Sequence, residues 1–132
     1  MHAAGQFEVK VAPQVADHPA ARTSGLARLS LDKRFSGPLE ATSAGEMLAS
    51  GDGSRSGAYV ALEKVDGTLD GRAGSFVLMH SAVMLRGTPQ DWSVTVVPDS
   101  ATGALEGLTG SMTIRIEGGK HYYELEYALP AR

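Results

Sequence analysis

The sequence predicts an all-β protein, a small antiparallel β-barrel of eight strands. Sixteen glycines and six prolines interrupt the chain at short intervals, which leaves little room for long helices. Between these residues, apolar side chains recur at every second position, the period of a strand with one buried face. A sheet of about eight short strands can remove its exposed edges by closing on itself, so we prefer a closed barrel to the alternative, a two-sheet sandwich.

The strands are predicted in chain order from this alternation. In the first strand, Phe7, Val9 and Val11 alternate with charged neighbours, and the same pattern recurs along the chain. The predicted strands lie near residues 5–11, 25–35, 38–49, 56–64, 73–85, 91–97, 104–116 and 120–128. The connection 12–24 is predicted to be a loop with room for a short helical turn, and no other helix is predicted.

A repeat predicts how the strands are joined. The stretch GTLDGRAGSFVL at 67–78 returns as GALEGLTGSMTI at 103–114, offset by 36 residues. Each glycine cluster is expected at a turn that leads into a strand, because glycine allows a positive φ and close approach of backbones. The spacing accommodates about two strands, so the repeat predicts equivalent corners in a meander of hairpins within one domain, residues 1–132. Strands follow the glycines, whereas a phosphate-binding loop would lead into a helix N-terminus.

Composition excludes several classes of protein. The chain has no cysteine, which excludes disulfides, thiolate nucleophiles and thiolate metal sites. The formal net charge is −3, basic residues are scattered, and there are one Trp, four Tyr and three Phe; we therefore expect no nucleic-acid partner. No signal-like or membrane-spanning apolar run is present, so we expect no membrane contact and a cytoplasmic location.

Two histidines are candidates for a site inside the barrel. His80 and His121 lie on the more apolar faces of their strands, where an imidazole needs a hydrogen-bond partner. Glutamates and tyrosines on other strands are possible partners. The predicted ligand-binding set in the barrel cavity is Glu46, Tyr59, Glu63, His80, His121 and Tyr123. The alternative interpretation is a set of core residues that satisfy one another's hydrogen bonds.

Neither a metal nor a cofactor is predicted. His121 and Glu124 have the form HxxE, but a separation of three residues on a strand puts them on opposite faces. The sequence contains no GxSxG, so serine catalysis is unsupported.

Several positions opposite the predicted interior are also apolar. They are Val60, Leu62, Val77, Met79 and Val83. This second apolar face would be exposed to water in a monomer, and self-association as a symmetric dimer would bury it.

The motifs together resemble those of a known family. They are Phe35-Ser36-Gly37-x-Leu39, Gly45-Glu46-Met47, Ala58-Tyr59-Val60, Gly67-x-Leu69-x-Gly71-x-x-Gly74-Ser75-Phe76-Val77-Leu78-x-His80, Leu105-x-Gly107-Leu108-x-Gly110 and Gly119-Lys120-His121-x-Tyr123-x-Leu125-x-Tyr127. From about residue 5 to 129 the chain resembles an uncharacterised bacterial domain family placed with allene oxide cyclase-like β-barrels. The resemblance implies an eight-stranded antiparallel barrel. In the wider superfamily, allene oxide cyclases and dirigent proteins steer reactive hydrophobic intermediates in a barrel cavity.

Three functional hypotheses follow. The first is a barrel that binds a small hydrophobic molecule with a polar or carbonyl head in its cavity. The second is a cofactor-free isomerase or cyclase in the same cavity, with His80 or His121 as general acid or base and Tyr123 as hydrogen-bond donor. The third is a packed barrel that serves as a protein-interaction module through its outer apolar face.

Overall fold

The computed structural model describes residues 1–51 and 55–130 and confirms the all-β barrel. Its strands are β1 (His2–Pro13), β2 (Ala27–Ser36), β3 (Leu39–Ser50), β4 (Gly57–Leu69), β5 (Arg72–Leu85), β6 (Thr88–Val96), β7 (Thr109–Glu117) and β8 (Lys120–Ala128). Each strand pairs antiparallel with the next, and β8 pairs with β1 to close the barrel. The predicted domain 1–132 includes residues 52–54 and 131–132, which lie outside the described residues.

The connections gather at two ends because successive strands run in opposite directions. One end holds the turn Gly37–Pro38, the turn Asp70–Gly71 and the connection 97–108; we call it the closed end. The other holds the segment 14–26 and the turns at 86–87 and 118–119; we call it the open end.

The hydrophobic core lies at the closed end. Leu39, Leu69, Leu105, Leu108 and Leu125 are each at most 1% exposed there. Two inward-facing tyrosines of β8 bond across this end: Tyr123 reaches the β2–β3 turn and Tyr127 reaches Asp70 in the β4–β5 turn. Burial and the bond to Asp70 raise the pKa of Tyr127 to about 12, since both favour the neutral phenol.

Inward-facing side chains become steadily more exposed toward the open end. Along β1, Phe7 is 5% exposed and Val11 is 45% exposed; along β7, Met112 is 4% exposed and Ile116 is 57% exposed. The same apolar stripe therefore passes from a filled core into a space open to solvent.

The expected helical turn in the first long connection is present as α1 (Pro19–Ser24). His18 caps it, because its Nδ1 accepts a hydrogen bond of 3.2 Å from the Ala21 N–H. Gly25 ends the helix with a φ of 68°, the left-handed conformation that glycine adopts without strain.

The prediction of equivalent corners is wrong for the second copy of the repeat. In the first copy, Asp70 and Gly71 both have positive φ, 48° and 82°, as a tight hairpin turn requires. In the second copy, residues Gly103–Leu105 form a 3₁₀ helix, so the predicted strand 104–116 begins only at Thr109. Glu106 there has a φ of −52°, so this turn has a different geometry.

Contact between the two copies explains the difference. A Cβ on Gly74 would lie 2.2 Å from the Thr102 oxygen, and one on Gly103 would lie 2.8 Å from the Ala73 oxygen. The glycines therefore allow the connection 97–108 to lie against the start of β5, while Leu105 and Leu108 enter the core.

Candidate functional site

A buried polar network crosses the barrel interior between the core and the open end. The Glu63 side chain is fully buried and receives hydrogen bonds from Lys33 Nζ at 2.8 Å, from His80 Nε2 at 2.7 Å and from Ser43 Oγ at 3.0 Å. Lys33 Nζ also lies 5.0 Å from the centre of the Phe7 ring, a favourable place for a cation. This network forms a polar floor beneath the open end.

The register of four neighbouring strands brings the network together. Lys33 on β2 lies directly opposite Ser43 on β3. Glu63 on β4 is the diagonal neighbour of Ser43, and His80 on β5 is the diagonal neighbour of Glu63. Glu63 lies opposite Gly45, where a Cβ would approach the Glu63 Cβ to 2.6 Å. Glycine at this position therefore leaves room for the Glu63 side chain.

The network keeps Glu63 ionised. Burial alone would raise the pKa of Glu63, but the hydrogen bond from His80 and the charge and hydrogen bond of Lys33 lower that pKa below its ordinary value. An ionised carboxylate only accepts hydrogen bonds, so His80 carries its proton on Nε2. Its Nδ1 then faces Tyr59 when the ring is neutral.

Tyr59 and Trp92 lie above this floor, on the side of the open end. The Tyr59 hydroxyl is 3.4 Å from His80 Nδ1, and the two rings meet edge to face with centres 5.6 Å apart. Burial raises the pKa of Tyr59 above its ordinary value, and the negative charge of Glu63 also raises it. A hydrogen bond from Trp92 lowers this pKa, but the effect of burial is larger. Tyr59 is therefore a neutral hydroxyl at physiological pH. Trp92 is 39% exposed, so solvent reaches this level of the interior.

The structure brings together three of the six predicted site residues, Tyr59, Glu63 and His80. His121 is half-buried and packs on Phe7, with ring centres 5.1 Å apart. Tyr123 lies in the closed end, where its hydroxyl donates to the Ser36 oxygen at 2.9 Å and accepts from the Leu39 N–H at 3.1 Å.

Glu46 lies outside the barrel. Its position on β3 has the opposite orientation to Ser43, and its carboxylate binds Arg28 at 2.6 Å on the outer surface. A side chain that faces outward cannot line the barrel interior, so Glu46 does not belong to an interior site.

The sequence did not predict the interior roles of Lys33 and Ser43. The signal for Lys33 was the alternation itself, because Leu29, Leu31 and Phe35 share its face. A lysine on an apolar face requires a partner carboxylate, and Glu63 occupies the equivalent face of β4. Trp92 was harder to place because the pairing of β5 with β6 shifts between Ser81 and Val83.

The outer apolar face is present as predicted from the alternation. Val60, Leu62, Met79 and Val83 are 46–56% exposed, and Val77 is half-buried. Beside them, the segment 14–26 borders a groove of about 1070 Å³ on the outer surface of β2 to β5. The dimer expected from this face stays a prediction.

No group of three or more His, Asp or Glu side chains within residues 1–51 and 55–130 is arranged to hold a metal ion. Over the same residues, no helix is long and apolar enough to cross a membrane.

Fold and interior together define a small closed antiparallel barrel with a packed end, an open end and a buried ionic network between them. Residues 3–127 match the family DUF3224, described as a protein of unknown function, and the chain belongs to that family. A search of curated proteins gave no match.

A solved structure supports the same assignment. The chain is similar to a protein of unknown function from the DUF3224 family of Shewanella oneidensis MR-1, with 42% sequence identity and a TM-score of 0.89. The likeness covers 100% of this chain and 98% of that one. The finer likeness to allene oxide cyclase-like barrels stays a prediction.

Proposed function

We propose that the protein binds a small, largely apolar molecule inside the open end of the barrel. The observation that carries this proposal is the exposure of inward-facing apolar residues such as Val11 and Ile116, which are 45% and 57% exposed. In a folded barrel these positions face a shared interior, so a guest molecule would cover them from water. Removing apolar surface from water supplies the affinity.

We prefer the barrel interior to the outer groove as the place of binding. A guest inside the open end would contact inward-facing side chains of several strands, with Tyr59 and the polar network below as oriented hydrogen-bonding groups. Pockets for small molecules commonly combine an apolar wall with a few such groups. The outer groove is bordered on one side by the segment 14–26, whose helix α1 has no buried residue.

A fluorescence titration tests the proposal. Trp92 is the only tryptophan and lies at the level of Tyr59, so its emission reports an occupant directly. We expect saturable changes in emission on titration with propylbenzene, a neutral apolar probe. Ala49→Phe, which places a ring inside the open end next to Tyr59, should abolish the change.

The matched control is Leu48→Phe, which places the same ring on the outer surface one residue away. This variant should bind propylbenzene like the parent. If Leu48→Phe abolishes binding and Ala49→Phe does not, the molecule binds in the outer groove and the proposal is wrong. Failure of the parent protein to bind any apolar probe would also overturn it.

A further inference from the structure

On the floor of the open end, the charges of Lys33 and Glu63 are paired with each other. Lys33 contributes one positive charge and Glu63 one negative charge, 2.8 Å apart and with side chains at most 6% exposed. His80 contacts the same carboxylate through its Nε2 at 2.7 Å. A ligand charge placed on this floor would lose its hydration shell without gaining a counter-ion from the Lys33–Glu63 pair, which is costly.

The group that faces the open end is a hydrogen-bond donor. Tyr59 stays protonated because burial raises its pKa, an effect that a hydrogen bond from Trp92 partly offsets. The Tyr59 hydroxyl lies 3.4 Å from His80 Nδ1, which is long for a hydroxyl donor. A better acceptor could therefore replace His80 as the partner of this proton.

We propose that the open end selects apolar molecules whose polar group is a neutral carbonyl oxygen, which accepts a hydrogen bond from the Tyr59 hydroxyl. This inference rests on the function proposed above and adds the chemical class of the ligand. A ketone, aldehyde, ester or amide meets the requirement, because each offers a strong acceptor and no charge. A carboxylate or an ammonium group does not. Lys33 and Glu63 act as positioning residues that satisfy each other's charge, and His80 packs edge to face against the Tyr59 ring.

Calorimetric titration with matched probes tests whether the site prefers this class of ligand. Octan-2-one, octanoate and octylamine have chains of equal length and differ in the charge of the polar group at pH 7. We expect octan-2-one to bind more tightly than either ion. Tyr59→Phe, which removes only the hydroxyl, should weaken octan-2-one binding by about two- to tenfold, the value of one neutral hydrogen bond.

Tyr122→Phe is the control, since this tyrosine lies on the outer face with its ring 4.8 Å from the Arg115 guanidinium. It should leave all affinities unchanged. Equal or tighter binding of octanoate or octylamine, or an unchanged octan-2-one affinity in Tyr59→Phe, would overturn the carbonyl preference while propylbenzene binding still supports the proposed function. If no probe binds to the folded parent protein, the proposed function itself fails.

Discussion

Glu63 is the carboxylate around which the polar side chains of the interior are arranged. Its side chain has no solvent exposure and accepts hydrogen bonds from three residues, Lys33, Ser43 and His80. The outer surface holds a useful contrast, because Glu46 also binds a cation, Arg28, but keeps 61% of its side chain exposed. The two glutamates are alike in sequence context as strand residues, yet their environments predict opposite responses to substitution.

Glu63→Gln should destabilise the fold strongly. The change keeps the shape of the side chain but leaves the Lys33 cation buried without a counter-charge, a loss of about 3–5 kcal/mol in the free energy of unfolding. Urea denaturation of both proteins measures it. Glu46→Gln serves as the control and should leave the denaturation midpoint almost unchanged, because exposed ion pairs contribute little. Similar midpoints for the two variants would contradict the assigned role of Glu63.

The same residue should make stability depend on pH in the acid range. The pKa of Glu63 is lower in the folded chain, so its contribution is complete above the unfolded pKa of about 4.3 and is lost as the pH falls through the lower folded value. The difference in unfolding free energy between parent and Glu63→Gln should therefore shrink below about pH 4. A difference that stays constant down to pH 3 would show that folding does not lower the pKa of Glu63.

Strand β8 is the element that seals the closed end. Its inward-facing residues Tyr123 and Tyr127 reach two different turns, β2–β3 and β4–β5. The buried Leu39 N–H depends on the Tyr123 hydroxyl as its acceptor. A strand that comes last in the chain thus fixes turns formed by much earlier residues.

Tyr123→Phe should lower the free energy of unfolding by about 1–3 kcal/mol, since it leaves a buried backbone N–H without a partner. Thermal or urea denaturation measures the loss. Tyr122→Phe removes the hydroxyl of the neighbouring tyrosine on the outer face and should have little effect. Equal stability of the two variants would show that water or another group replaces the Tyr123 hydroxyl.

The sequence predicted most strands because a period of two is a local property that residues such as Phe7, Val9 and Val11 show directly. It failed where contact with another element decides the conformation. The second repeat copy carries the same glycine spacing as the first, but packing on Gly74 and burial of Leu105 turn its start into a 3₁₀ helix. Lys33 was missed for a related reason, because its partner becomes evident only when β2 and β4 are brought to the same interior.

At the scale of the whole molecule, one side of the barrel surface lacks charge. Strand β5 carries no charged residue on its outer face, and Leu62 and Met79 lie opposite each other there with exposures of 54% and 50%. Depletion of charge is typical of the centre of a protein interface.

The dimer predicted from this face is measurable by light scattering after size-exclusion chromatography. For the parent protein we expect twice the 13.8 kDa mass of the chain. For Met79→Glu we expect the mass of a single chain, because a carboxylate buried at the interface would lack a partner. Thr113→Glu, on the outer face of β7, should remain dimeric. A monomeric parent protein would contradict the prediction.

The proposed function places an apolar molecule within the open end of the barrel. Methyl-selective NMR during titration with propylbenzene is the sharpest test, because labelled methyl groups lie both inside the open end and on the outer surface. We expect shifts at the inward-facing Val11 and Ile116, with little change at Leu48 and Val60, which line the outer groove. Shifts confined to Leu48 and Val60 would contradict it.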